Sequence, residues 1–201
     1  MKEVVLATRN KHKTREIRHI LKKSGIKVVS LDSFPKAPEV IEDKKTIKEN
    51  AIKKAVTLAK YTKEPTIADD SGLEVDFLKG APGVYSARFA GKGCTYDDNN
   101  RKLLRLLKDA PKSKRKARFV CVIAVADKNG LVDVAEGVIK GIIADETKGR
   151  HGFGYDPVFY YPRFKKTFAE LSPSVKNRIS HRARALKKAK SIILLYFQKA
   201  L

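Results

Sequence analysis

The chain has 201 residues, of which 42% are hydrophobic, enough for one sizeable core and too apolar for a disordered polymer. Its 44 Lys+Arg against 22 Asp+Glu give a formal net charge of +22, an excess that attracts polyanions in a salt-dependent way. The basic residues are spread along the whole chain, with modest clusters only at 112–118 and 187–190, so the charge describes a solvated Lys-rich surface and supplies no specific nucleic-acid reader.

Residues 3–8 read as a buried strand, and Asn10 then offers a cap for a helix with Ile17, Ile20 and Leu21 on its apolar face and Gly25 past its end. Residues 27–31 are the next strand, so the chain opens with a βαβ unit and a parallel pair. A Pro-containing loop over 34–42 leads to a helix beginning at Thr46, with Ile47, Ala51, Ala55, Leu58 and Ala59 on one stripe and Pro65 beyond it. Strands over 66–68 and 73–77 flank a predicted turn at Asp69, Asp70, Ser71 and Gly72. Gly80, Pro82 and Gly83 punctuate a long loop holding Tyr85, Arg88 and Phe89. Residues 97–108 form a helix with Leu103, Leu104 and Leu107 inward. The two longest strand signals, 118–126 and 131–143, join through 127–130, where Asn129-Gly130 supports a hairpin and makes the sheet mixed. A Gly-rich loop over 149–157 precedes a short strand at 158–161. Ser172 before Pro173 starts one helix, and a last helix over 182–197 carries Leu186, Ala189, Ile193 and Leu194 at helical spacing.

No repeat, low-complexity tract or linker interrupts the chain, which predicts one cooperative α/β domain. Cys94 and Cys121 lie at no metal-ligand spacing, which excludes a disulfide framework and a structural zinc site. No apolar run approaches about 18 residues, and the first one is too short for a signal peptide, so no membrane span and a cytoplasmic location are expected.

Five segments carry candidate chemistry. Thr8, Arg9, Asn10, Lys11, His12 and Lys13 place hydroxyl, amide and basic groups at a helix N-terminus, either as a phosphate cradle or as a surface helix start in a Lys-rich protein. Asp69 and Asp70 sit between two apolar runs, where ionised carboxylates need a partner or a metal, and strand alternation sends them to opposite faces. One then serves the fold and the other the chemistry, unless both simply make an Asx-type turn. Glu42 and Asp43 offer further carboxylates; a sparse acidic set suits Mg²⁺ held with phosphate oxygens and waters, while acids before a helix also merely complement its dipole. The run from Gly152 through Phe153, Gly154, Tyr155 and Asp156 to Pro157 offers rings that stack on a base or pack a tight turn. Ser180, His181 and Arg182, with Lys176 one turn earlier, supply donors for a 6-keto purine or cap two helices.

Taken together and in order, Ala7 to Asn10 with Lys13, Ala68 to Leu73, Gly152 to Pro157 and Ser180 to Arg182 resemble the inosine triphosphate pyrophosphatase family, as do Glu49 to Ala51 and Gly80 to Gly91. The resemblance implies an elongated two-lobed α/β fold around a curved mixed sheet, over residues 1–201, with a central nucleotide cleft and usually a homodimer. It implies Mg²⁺-dependent hydrolysis of ITP, dITP and XTP to the monophosphate and pyrophosphate. By motif, Thr8 to Lys13 would bind triphosphate, Asp70 would activate water, and Ser71 would contact substrate. Glu42 and Asp70 would hold Mg²⁺, Phe153, Gly154, Tyr155, Asp156 and Lys176 would form the nucleoside pocket, and His181 with Arg182 would read the base. The segment at Glu42 departs from the family's pattern, leaving Glu42 and Asp43 as alternatives. Competing readings are a Maf-type pyrophosphatase of pyrimidine or modified nucleotides, against which Ser180 to Arg182 argue, and a basic nucleic-acid-binding protein, which leaves the paired acids unexplained.

Overall fold

The computed structural model describes residues 2–199. Strand β1 (Lys2–Leu6), helix α1 (Lys11–Leu21) and strand β2 (Ile26–Ser30) form the opening βαβ unit, with β1 and β2 parallel in a register pairing Val4 with Val28. Helix α2 (Ile47–Thr62) follows, then strand β3 (Thr66–Val75), helix α3 (Tyr96–Leu106), strands β4 (Lys116–Asp127) and β5 (Gly130–Ile143), and the short strands β6 (Phe159–Tyr161) and β7 (Lys166–Thr167). Helices α4 (Pro173–Ile179) and α5 (His181–Lys199) complete the order. The seven strands make one mixed sheet in the order β2-β1-β3-β4-β5-β6-β7, with β3 parallel to β1 and β6 antiparallel to β5 and β7. No helix among the described residues is long and apolar enough to cross a membrane.

Local chemistry sets most boundaries. Thr46 caps α2 by a reciprocal capping box with Glu49, and Thr95 does the same for α3 with Asp98. The β4–β5 turn is tied by Asp127 Oδ1, which accepts from the amides of Asn129 at 2.8 Å and Gly130 at 3.2 Å. One expectation fails: no turn breaks the chain at Asp69 to Gly72, and β3 runs through all four residues. Asx-turn propensity is a local preference, and here both aspartates find cationic side chains that let the strand continue. Strand β7 also had no signal, being only two residues long.

The chain divides into two compact units, one comprising residues up to Asp70, Cys121–Gly137 and residues from His181 on, the other Ser71–Val120 and Val138–Ser180. The first unit is built on an aliphatic core of Val4, Leu6, Ile17, Leu21, Ile67, Ile123, Leu186 and Ile193, which seats α1 and α5 on the sheet. Truncating any one of these large side chains to Ala would cost roughly 2–5 kcal/mol. The core of the second unit is more aromatic, with the Phe159 ring 4.5 Å from that of Phe119 and 4.9 Å from that of Phe168.

Candidate active site

In the first unit, β1 delivers the chain to α1 through Thr8 and Asn10. The Asn10 amide donates to Thr8 Oγ1 at 3.2 Å, and Asn10 Oδ1 accepts from the amides of His12 at 3.0 Å and Lys13 at 3.2 Å. This cap fixes the first helical turn. Lys11 and His12 point to solvent, whereas Lys13 is largely buried and its Nζ lies 2.6 Å from Asp69 Oδ1. Arg9 is exposed but tied down, with Nη2 donating to the Ala37 carbonyl at 2.9 Å.

Alternation along β3 gives the adjacent acids different surroundings. Asp69 is fully buried and receives Lys13, Arg182 and Cys121: Arg182 Nε donates to Oδ2 at 2.8 Å, Nη2 to Oδ1 at 3.3 Å, and the Cys121 thiol to Oδ2 at 3.1 Å. Burial alone would raise its pKa, but Arg182 and Lys13 hold the carboxyl well below the ordinary range. Asp70 faces Lys54, whose Nζ lies 3.2 Å from Asp70 Oδ1 and 2.6 Å from Glu42 Oε1. Burial here outweighs the lysines, so the Asp70 pKa is raised above its ordinary value. An anionic Asp70 is thus a better proton acceptor than a surface carboxylate. For Lys13, burial disfavours the charged form, yet Asp69 and Asp70 raise its pKa above the usual lysine value, keeping it cationic. Lys13 and Lys54 also meet at one backbone atom, the Asp69 carbonyl, at 3.4 and 2.9 Å.

The carboxylates that converge are Glu42 and Asp70; Asp43 instead pairs with Lys53 at 2.8 Å. The Lys54 ammonium marks a place where a cation is stabilised by two carboxylates. Among the described residues no group of three or more His, Cys, Asp or Glu is placed to enclose a metal. This donor set fits Mg²⁺, which takes one or two protein carboxylates and completes its octahedron from water and phosphate.

In the second unit, the Gly152 to Pro157 loop turns at positive φ on Gly152, where a Cβ would stand 2.0 Å from Asp156 Oδ2. That oxygen accepts from the Phe153 amide at 2.8 Å and pairs with Lys176, whose ammonium also stands 4.9 Å from the centroid of the Phe153 ring. Phe153 is half-buried, 5.9 Å from the Tyr96 ring, whereas Tyr155 belongs to the core and donates its hydroxyl to the Ser86 carbonyl at 3.0 Å. Of the two alternatives posed by the sequence, packing holds for Tyr155. Asn100 Nδ2 donates to the Gly154 carbonyl at 3.0 Å and steadies the loop. Ser71 is half-buried, and Lys176 is almost wholly buried in α4.

His181 and Arg182 open α5 in the first unit, both buried. Arg182 is committed to carboxylates: besides Asp69, its Nη1 donates to Glu16 Oε2 at 2.5 Å. Sequence reasoning thus missed Glu16, Lys54, Cys121 and Asn100. Lys54 had a readable signal, a lysine on the apolar stripe of α2 between Ala51 and Leu58.

The profile of the Ham1 family matches residues 4–192. The chain belongs to the Ham1 family. Among family relatives, the dITP/XTP pyrophosphatase of Desulforamulus reducens is 56% identical over 191 residues, 95% of each chain. That of Clostridium perfringens is 47% identical over 196 residues, 94% of this chain and 96% of the relative. The solved Ham1 protein of Coxiella burnetii superposes with a TM-score of 0.87 at 43% identity, covering 96% of this chain and 99% of that one.

Proposed function

We propose that this Ham1-family chain is a pyrophosphatase that hydrolyses the non-standard purine nucleotides ITP, dITP and XTP to the monophosphate and pyrophosphate. The relatives' names support the reaction, and one observation of the site carries it: Lys13 and Lys54 converge on the Asp69 carbonyl next to Asp70, with Lys54 3.2 Å from the Asp70 carboxylate. Cations flanking a base are what water attack on a polyanion requires.

In this reading the α1 N-terminus, with Thr8 to Lys13, binds the triphosphate through amide donors and the Lys13 charge. Glu42 and Asp70 would hold Mg²⁺, which when bound neutralises phosphate charge. Asp70 orients a water and takes its proton as the water attacks the α-phosphorus in line, and pyrophosphate departs. Ser71 contacts substrate. Phe153, Gly154, Tyr155, Asp156 and Lys176 take the nucleoside, with Tyr155 shaping the loop from the core side. His181 reads the 6-keto base, and Arg182, expected from the sequence to read it as well, holds the start of α5 through Asp69 and Glu16; a donor left unpaired by adenine's amino group disfavours ATP. The family resemblance supports, as part of this reading, a homodimer acting in the cytoplasm.

The test is pyrophosphate release from ITP, XTP, dITP, GTP and ATP with and without Mg²⁺, alongside Asp70→Asn. Mg²⁺-dependent formation of IMP and XMP, abolished in Asp70→Asn while nucleotide binding persists, is the expected outcome. Folded protein inactive on the whole panel overturns the assignment; a near-normal Asp70→Asn removes Asp70 from the role of base.

A further inference from the structure

Four charged side chains of the first unit form a run of ion pairs whose two ends stand on the same helix, so that the α1 backbone closes the ring. Lys13 and Glu16 lie one turn apart on α1; Lys13 pairs with Asp69 of β3 at 2.6 Å, Asp69 with Arg182 of α5 at 2.8 Å, and Arg182 with Glu16 at 2.5 Å. Two positive and two negative charges balance within it. Arg182 and Asp69 are 1% and 0% exposed, and Glu16 is 9% exposed. A buried ionic set of this kind is a poor source of stability, because desolvation offsets most of the attraction, and its best-attested use is to fix one arrangement.

What the ring fixes is specific. It ties the helix that carries the triphosphate lysine to the first turn of the helix that begins with His181. Three nitrogens of Arg182 are held by Glu16 and Asp69. Asp69 is shared between Lys13 and Arg182, so the balance between these two cations on one carboxylate depends on how much of the guanidinium is satisfied elsewhere. Glu16 supplies that second anchor. Without it, more of the guanidinium charge falls on Asp69 and competes with Lys13 for the same oxygens, while the start of α5 loses one ionic tie to α1. The backbone adds a second support: a Cβ on Gly137 of β5 would stand 2.2 Å from the His181 carbonyl, so the first turn of α5 rests directly on the strand.

We infer that Glu16 is a positioning residue of the nucleotide site, holding Arg182 so that Lys13 and the first turn of α5 keep the geometry that binds the purine triphosphate. The inference rests on the pyrophosphatase reading above and assigns to that reaction a residue that touches no reacting atom.

The experiment compares wild type, Glu16→Ala and Glu16→Gln in steady-state hydrolysis of ITP and GTP, with thermal midpoints for each protein. Glu16→Ala is expected to raise KM for ITP by about tenfold with kcat per folded enzyme changed less than about threefold, and to narrow the ITP-over-GTP preference. Glu16→Gln keeps the side-chain length and one acceptor oxygen, and is expected to recover most of the KM; if the Ala variant does not fold, a smaller rise of KM in the Gln variant alone, with narrowed base preference, supports the role. A purely structural Glu16 would lower the midpoint and the active fraction with KM and base preference unchanged in both variants, and that result overturns the inference. Wild type inactive on ITP would instead overturn the pyrophosphatase reading itself.

Discussion

Gly137→Ala tests whether the placement of the α5 first turn matters to the chemistry. The added Cβ would lie 2.2 Å from the His181 carbonyl oxygen, 2.3 Å from the Ala185 amide nitrogen and 2.9 Å from the Arg184 carbonyl carbon. All three are backbone atoms, so no flexible side chain can yield. Restoring ordinary contact requires the first turn of α5 to retreat by about 1 Å, and overpacking of this kind costs roughly 1–3 kcal/mol. For a chain of this length each kcal/mol lowers the melting midpoint by about 2–4 °C, so a fall of roughly 2–12 °C is expected. The same displacement moves His181 and strains the 2.8 Å bond from Arg182 to Asp69, and a misplacement of about 1 Å can lower turnover efficiency by about a hundredfold. Thermal unfolding and ITP hydrolysis on the soluble variant measure both effects. An Ala variant with an unaltered unfolding midpoint and unaltered kcat/KM would show that α5 has slack at this point and refute the argument.

Lys54→Met leaves Glu42 and Asp70 facing each other without their shared cation; since Glu42 is partly solvated, a loss of roughly 1–3 kcal/mol is expected. Turnover of ITP should fall by at least about tenfold as well. Lys53→Met is the control: its partner Asp43 is exposed, so stability should stay within about 0.5 kcal/mol and activity should hold. A Lys54 variant indistinguishable from the Lys53 variant would remove Lys54 from the site. At the N-terminus of α3, bonds from the Thr95 hydroxyl and amide and from Arg101 lower the Asp98 pKa to about 2. A depressed carboxyl stabilises the folded state above its ordinary pKa of 3.8, and that contribution fades as pH falls toward 2. NMR titration should show it, with the Thr95 amide losing protection over the same window; an Asp98 midpoint near 3.8 would refute the capping geometry.

Features governed by neighbours in sequence were legible. Asn10 caps α1, Thr46 starts α2, Ser172 starts α4, and Asn129-Gly130 turns the β4–β5 hairpin, each through bonds spanning a few residues. The straight course of β3 through Asp69 to Gly72 was not, because it depends on partners far along the chain, with Arg182 lying 113 positions from Asp69. Glu16 and Arg182, 166 positions apart, had no local pattern to connect them. In the aromatic loop the residue types were readable, but which ring entered the core was decided by Ser86, which receives the Tyr155 hydroxyl. That Glu42 and not Asp43 converges with Asp70 likewise depended on which lysine of α2, Lys54 or Lys53, turns inward.

Two adjacent acids in an unbroken strand also guard against mispairing. Strand β3 joins β1 in parallel, with Leu6 opposite Ile67, and no tight hairpin dictates that alignment. A slip of one residue in one direction would set Ala68 before Lys13 and Arg182; in the other it would set Ser71 before Lys54. Either error takes a carboxylate from a cation that needs it: in the first Lys13 loses Asp69 and Arg182 keeps only Glu16, and in the second Lys54 keeps only Glu42. Only the native alignment satisfies both groups of cations at once, so the residues proposed to serve catalysis also act as a two-toothed key by which the sheet recognises that it has assembled in step.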